Sequence, residues 1–160
     1  MILMPATASA QEEEEDEEED EDYHIQMKID SLLSAITPGT PDSTIANNYC
    51  RIAEITNNLD SCLTYSFMSL KYCKDTDTVL IADNTRYIAW AYWMKDDVKS
   101  GLPYLYQSTI LLERRKDTSA LEHNYRFLSK YYDKLYKPDS SKYYINMAMN
   151  LNIKRHDTVK

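Results

Sequence analysis

The stretch that decides the fold is residues 88–104, which read IAWAYWMKDDVKSGLPY. Upstream, residues 49–65 read YCRIAEITNNLDSCLTY, and downstream, residues 128–144 read LSKYYDKLYKPDSSKYY. The three segments align without gaps, and in each a polar turn separates two apolar stretches. Their even spacing along the chain is typical of a repeated supersecondary unit. The sequence therefore predicts three helix–turn–helix units.

The repeat domain is predicted to cover residues 42–157. The 2 glycines and 5 prolines of the whole chain are too few for many short strands, so long helices with short connections fit better. Each unit ends with a cation followed by Asp-Thr. The predicted units are residues 42–76, 77–117 and 118–157. Helices are predicted over residues 44–56, 60–74, 79–95, 98–115, 119–136 and 139–154.

A further amphipathic helix is predicted before the repeats, over residues 23–36, with apolar residues at helical spacing. It is expected to pack on the open end of the first unit. The sequence TPGTP at residues 37–41 breaks it from the repeats. Asp42-Ser43 and Asp139-Ser140 are predicted to supply helix N-caps.

Small residues recur at matching places in the three units. They are Cys50, Ala89 and Ser129 in the first helices, and Cys62, Gly101, Ser141, Ser69, Ser108 and Ala148 in the second helices. In this pattern residues 42–157 resemble the tetratricopeptide repeat family, in which small residues at these places lie where the two helices of a unit cross and allow their close approach. The resemblance implies an all-α, right-handed αα-superhelix of about three repeats. The chain departs from the family pattern in its longer units, in the absence of a closing proline, and in the residues Ala46, Thr85 and Asn124 at the places of the initial aromatic.

The resemblance also implies that the first helices line a concave surface. The predicted ligand-binding stripe on it is basic and aromatic, and consists of Asn47, Arg51, Arg86, Tyr87, Trp90, Trp93, Arg126, Phe127 and Lys130. Arginine suits carboxylates, and binding hot spots are enriched in Trp, Tyr and Arg. A protein or peptide ligand, with an acidic one as the sharper hypothesis, is therefore predicted. The alternative is that Trp90, Trp93 and Phe127 pack between units.

The formal charge of −8 arises from one segment, since Glu12 to Asp22 are eleven consecutive acids. Without them 26 − 11 = 15 acids face 18 Lys and Arg, a balance of about +3. Residues 11–22 are predicted to be disordered. Residues 1–10 are interpreted as the remnant of a truncated signal peptide, because Ala8-Ser9-Ala10 has the small-x-small form of a cleavage site. Export to the periplasm is predicted, with a cytoplasmic location as the alternative.

The three cysteines, Cys50, Cys62 and Cys73, have no zinc-site spacing. The resemblance places Cys50 and Cys62 at facing small-residue sites of one unit, as packed neighbours. A disulfide between these two is one alternative, and buried free thiols are the other.

No catalytic constellation, metal-ligand spacing, phosphate-binding glycine loop, cofactor motif or membrane span is found, and a nucleic-acid ligand is not predicted. The segment Ile29-Asp30-Ser31-Leu32-Leu33 and the Asp-Thr pairs resemble exported N-terminal repeat regions of Bacteroidetes sensor kinases and regulators. The predicted function is a non-catalytic protein- or peptide-binding module, the sensory or scaffolding part of a larger signalling protein. The alternative is an accessory subunit of an exported enzyme or carbohydrate-handling complex.

Overall fold

The computed structural model describes the backbone of residues 8–157 and the side chains of residues 21–153. Within this part of the chain there are seven helices and no strand. They are α1 (Ala8–Ser34), α2 (Asp42–Ile55), α3 (Leu59–Tyr72), α4 (Thr78–Met94), α5 (Val98–Arg115), α6 (Thr118–Lys134) and α7 (Pro138–Asp157).

The helices pack in chain order as three αα units preceded by α1. Within the units α2 packs on α3, α4 on α5 and α6 on α7, while α3–α4 and α5–α6 contacts join one unit to the next. Helix α2 also contacts α4, so first helices of neighbouring units lie side by side. The predicted all-α repeat is confirmed. Among the helices of the units, the predicted boundary that differs most from the structure is the end of α7, Lys154 against Asp157.

The predicted N-caps are wrong at two helices. Asp42 and Asp139 lie inside the first turns of α2 and α7, and the N-cap of α2 is Pro41. Proline fixes a favourable φ just before a helix, and an acid in the first turn interacts with the helix dipole without capping. Side-chain caps occur instead inside the units, where Asn58 accepts a hydrogen bond from Ser61 N at 2.9 Å and Asp97 accepts one from Ser100 N at 3.2 Å.

All nine small residues at the predicted helix crossings are buried. Two of them also tie the two helices of their own pair together, since Ser69 Oγ donates to Ala46 O at 2.7 Å and Ser108 Oγ donates to Ala82 O at 2.8 Å. A larger side chain at these places would separate the helices and break these hydrogen bonds. The crossing residues therefore set both the spacing and the register of each pair.

The same two serines join neighbouring units. Asn84 Nδ2 of α4 donates to Ser69 Oγ at 2.8 Å, and Asn124 Nδ2 of α6 donates to Ser108 Oγ, also at 2.8 Å. All four side chains are fully buried. Each serine hydroxyl thus accepts a hydrogen bond from an asparagine of the next unit and donates one to a backbone carbonyl of its own unit.

Helix α1 packs on the first unit through Ile25, Ile29, Leu32 and Leu33, with Ile36 just after the helix, against Tyr49 and Ile52 of α2. Its backbone is helical from Ala8 and includes the acidic run, which differs from the disorder predicted for residues 11–22. Glutamate is a good helix former, and acids near a helix N-terminus are stabilised by the dipole. Of the predicted leader remnant, residues 1–7 lie outside the described residues.

Candidate functional site: a groove lined by the first helices

A cavity of about 960 Å³ opens between the three first helices, α2, α4 and α6, and the start of α7. Seven of the nine residues of the predicted stripe line it. They are Arg86, Tyr87, Trp90, Trp93, Arg126, Phe127 and Lys130. The stripe predicted from the sequence is therefore largely one surface, which is called the groove below.

Helical periodicity explains why these side chains share one surface. Residues 86, 87, 90 and 93 of α4 follow the i, i+1, i+4, i+7 pattern of one helix face. The repeat, which aligns Ile88 with Leu128, carries them to residues 126, 127, 130 and 133 of α6, and these also line the groove. Two neighbouring helices thus present the same four positions.

The other two predicted residues lie elsewhere. Arg51 lines a separate cavity of about 460 Å³ with His24, Met27 and Lys28 of α1. Asn47 is exposed and lies outside both cavities. The physical reason is that α1 packs along α2, where Asn48 Nδ2 donates to Leu32 O at 3.2 Å, so this surface of the first unit faces α1.

The aromatic residues of the groove both line the cavity and pack between units. Trp93 of α4 meets Phe127 of α6 edge to face with ring centroids 5.9 Å apart, and Phe127 contacts Tyr131 in the same way at 5.1 Å. Trp93, Phe127 and Trp90 are all half-buried. The same aromatic side chains can therefore pack between units, as one interpretation of the sequence held, and also line a ligand-binding surface, as the other held.

Lysine side chains connect neighbouring units, in one case from α6 to the end of α4 and in the other from the end of α4 to α3. Lys134 Nζ lies 4.1 Å from the Trp93 ring centroid, donates to Trp93 O at 2.9 Å, and pairs with Asp96 at 2.6 Å. One unit earlier, Lys95 Nζ pairs with Asp60 at 2.5 Å. The carboxylates of these ion pairs are largely exposed, so the pairs orient the lysine side chains but add little to the free energy of unfolding.

The cations of the groove are mostly paired with carboxylates of their own helices. Arg86 Nη2 lies 3.3 Å from Asp83 Oδ1, and Arg126 donates to the buried Glu122 Oε1 from Nε at 3.1 Å and Nη2 at 3.0 Å. Lys130 is exposed. The groove is therefore less basic than the stripe of residues suggested.

Four lining residues have chemistry that the predicted stripe lacked: the acids Glu54 and Asp133, and Ser129 and Ser141, whose hydroxyl oxygens lie 2.9 Å apart in the buried floor. The repeat could have found the two acids, because it aligns Trp93 with Glu54 in the preceding unit and with Asp133 in the following one. Ala53, His123 and Ile145 complete the wall.

Tyr87 adds a neutral polar group to the groove. Burial raises the pKa of its hydroxyl above the ordinary value, and the Arg86 guanidinium opposes this shift only in part. The Arg86 guanidinium carbon lies 4.7 Å from the centroid of the Tyr87 ring. At neutral pH Tyr87 therefore offers an uncharged hydroxyl, able to donate or to accept a hydrogen bond.

The three cysteines are free thiols, and the predicted Cys50–Cys62 disulfide is absent from the structure. The two side chains have different surroundings. Cys62 Sγ lies 3.9 Å from Tyr87 O, whereas the charged neighbours of Cys50 are Asp83, Glu54 and Arg86. Of the two alternatives, the structure therefore has the buried free thiols.

Within the described part of the chain, no group of His, Cys, Asp or Glu side chains is arranged to hold a metal ion. Among the same residues, no helix combines the length and apolar character that crossing a membrane requires. Comparison with models of known protein families, with curated proteins and with solved structures finds no match. The groove is therefore interpreted from its own residues.

Proposed function

We propose that this chain is a non-catalytic, tetratricopeptide-type module that binds an extended protein or peptide segment in the groove. The observation that supports this most directly is the gathering of four half-buried aromatic residues and three cations from two neighbouring units into one cavity of about 960 Å³. Large rigid aromatics provide contact area at a low entropic cost. Following the resemblance to exported sensor regions, the module is the sensory or scaffolding part of a larger signalling protein.

The charges of the groove refine the ligand that we propose. Arg86 and Arg126 are each paired with a carboxylate of the same helix, while Lys130 is exposed and Glu54 and Asp133 add negative charge. A continuous acidic run would therefore meet repulsion as well as attraction. The groove suits a segment whose apolar side chains pack on Trp90 and Phe127. A single carboxylate of that segment would pair with Lys130 or with one of the two arginines.

Selection of displayed random peptides on the purified chain tests the proposal. Enriched peptides are expected to carry apolar residues, and their affinity is then measured by fluorescence polarisation. Trp90→Ala should weaken binding at least about tenfold, as hot-spot aromatics do. Lys130→Ala should weaken the peptides that carry an acid more than those that do not.

The matched control is Tyr23→Ala, which removes an aromatic side chain that is 63% exposed on α1 and remote in sequence from the groove helices. It should leave peptide affinity unchanged. Enriched peptides that bind the Trp90→Ala and Lys130→Ala variants as tightly as the parent would reject the groove as the binding site. Failure of any peptide to enrich would count against a peptide ligand altogether.

A further inference from the structure

One face of α7 exposes large apolar side chains. Tyr143, Met149 and Ile153 are 58%, 51% and 55% exposed, and the exposed Asn146 and Asn150 lie among them. At 100° per residue these five positions fall within one side of a helix. They are called the α7 outer face, and none of the five side chains is charged.

The repeat shows what kind of surface covers such a face. The alignment of the second unit with the third carries Tyr106, Thr109 and Glu113 of α5 to Asn146, Met149 and Ile153 of α7. On α5 all three contact the next helix, α6.

Each of these α5 residues has its own partner on α6. Tyr106 shares a short hydrogen bond with Tyr132, Thr109 accepts from Asn124 at 3.3 Å, and Glu113 accepts from the Tyr125 hydroxyl at 2.8 Å.

The contrast in burial is clearest at the central position. Thr109 is 4% exposed under α6, whereas its counterpart Met149 is 51% exposed. At Asn146, Met149 and Ile153 the α7 outer face therefore corresponds to a surface against which a helix packs in the second unit. A helix that packs on the α7 outer face should itself present apolar and amide side chains and few charged ones.

We propose that the occupant is α7 of a second copy of this chain, in a symmetric dimer. The other end of the repeat stack explains why the contact is symmetric. Helix α1 covers the first unit through Ile29, Leu32 and Leu33 packed on α2, so a second copy does not find a free first helix there. Head-to-tail stacking is thereby blocked, and like faces meet.

The charge pattern permits this self-pairing. The α7 outer face carries no like charges to repel each other, and the neighbouring Lys142 lies at its N-terminal end. In an antiparallel contact the two copies of Lys142 lie at opposite ends. Met149 lies near the middle of the face, which runs from Tyr143 to Ile153, so it lies beside its own copy across the two-fold axis.

Sedimentation velocity of the whole chain tests this over a wide range of concentrations. A contact made by one helix from each copy is smaller than a standard interface of about 1,200–2,000 Å². The expected result is a reversible equilibrium between a monomer of 18.7 kDa and a dimer. Met149→Glu should abolish the dimer, because it places two carboxylates side by side.

Met94→Glu is the matched control, since Met94 is 49% exposed at the end of α4 and outside the α7 outer face. It should dimerise like the parent. A chain that stays monomeric at every concentration, equal loss of the dimer in both variants, or growth into larger oligomers would each overturn the proposal.

Cysteine cross-linking gives a second measurement that does not depend on a charge substitution. Met149→Cys should form a disulfide-linked dimer under mild oxidation, while Met94→Cys should not. The parent chain supplies the background, because Cys50 and Cys62 are buried and Cys73 is half-buried. Absence of a Met149→Cys cross-link, or an equal yield from Met94→Cys, would contradict the antiparallel arrangement.

Discussion

The hydroxyl of Tyr131 in the third unit donates a hydrogen bond to the backbone carbonyl of Ala89 in the second unit, at 2.5 Å. Tyr131 is fully buried, and its hydroxyl lies directly over Gly101 of α5. The Tyr131 side chain thus connects α6 to α4 and covers the crossing of α4 and α5. The bond depends on the missing side chain of Gly101.

Gly101→Ala should destabilise the fold, although alanine is the better helix former. The added Cβ would overlap the Tyr131 hydroxyl, lie 2.9 Å from Tyr92 Cβ and lie 3.1 Å from Ala89 O. Overpacking of this kind costs about 1–3 kcal/mol, whereas the gain in helix propensity is about 1 kcal/mol. Urea unfolding followed by circular dichroism measures the difference.

The control for this prediction is the same substitution in a Tyr131→Phe background. Removal of the hydroxyl relieves the nearest overlap, so Gly101→Ala should cost less there than in the parent. Tyr131→Phe alone should cost about 1 kcal/mol for the lost hydrogen bond. Equal costs in both backgrounds would show that Tyr131 is not what excludes a side chain at Gly101.

Ser108→Ala should destabilise the chain by about 1–3 kcal/mol, because it leaves the buried Asn124 amide without its 2.8 Å acceptor and removes the donor to Ala82 O. A double-mutant cycle with Asn124→Ala should show a coupling of about 1 kcal/mol. Additive losses would contradict a shared hydrogen-bond chain.

The third unit provides the reciprocal test. Its counterpart of Ser108 is the fully buried Ala148. A serine at position 148 should contribute less to stability than Ser108 does, since no asparagine of a following unit is present among the described residues to donate to its hydroxyl. Ala148→Ser is therefore expected to change stability by less than Ser108→Ala does.

The sequence was sufficient for the helices and for their crossings, because both depend on short-range patterns. Helical spacing and the gapless alignment of the three units located the six helices of the repeat, and small size marked Cys62, Gly101 and Ser108 as crossing residues. These features repeat, so each unit supported the assignment of the others.

The predicted site residues were right in the second and third units and wrong in the first. In α4 and α6 the groove residues were found, but in α2 the same register gave Arg51, which faces α1 instead. The pairing of Arg126 with Glu122 and the surroundings of Cys50 depend on side-chain rotamers and on how α2 meets α4. The Arg126–Glu122 pair has the i,i+4 spacing of one helix face and could have been predicted, whereas the contacts of Cys50 with α4 are long-range and leave no periodic signal in the sequence.

Tyr136→Gly should stabilise the chain by about 1 kcal/mol, because a left-handed backbone favours glycine by roughly that amount. Tyr136 follows the end of α6 with φ 55°, and the hydrogen bonds Tyr136 N to Asp133 O and Lys137 N to Tyr132 O form a helix-ending motif. Its side chain is 93% exposed, so little contact is lost. Thermal unfolding measures the gain.

Asp96→Gly is the matched comparison, because Asp96 ends α4 in the same way with φ 60°. Its carboxylate, however, pairs with Lys134 at 2.6 Å. The gain there should be smaller than at Tyr136. A larger gain at Asp96 would mean that the ion pair contributes nothing and that backbone strain alone decides.

The stability of the fold should decrease above pH 9 partly because of Cys50. Burial, and next the Asp83 carboxylate, raise the pKa of Cys50 from 9.0 to about 12. Since the thiol is more acidic in the unfolded chain, unfolding releases a proton between these pH values, and the free energy of unfolding decreases as pH rises. At pH 10 the expected loss from this one group is about 1.4 kcal/mol relative to pH 8.

Urea unfolding at pH 8 and pH 10 measures this loss in the parent, in Cys50→Ala and in Ile52→Val. Cys50→Ala should lose less stability than the parent between the two pH values, by about that amount, because its unfolded state has one fewer thiol to ionise. Ile52→Val alters the buried core of the same helix without changing a titratable group, so its loss should equal that of the parent. If Cys50→Ala lost as much stability as the parent, the thiol would ionise equally in both states, and alkaline unfolding would have to be assigned to other groups, among them the buried Tyr131, whose pKa is also raised by burial.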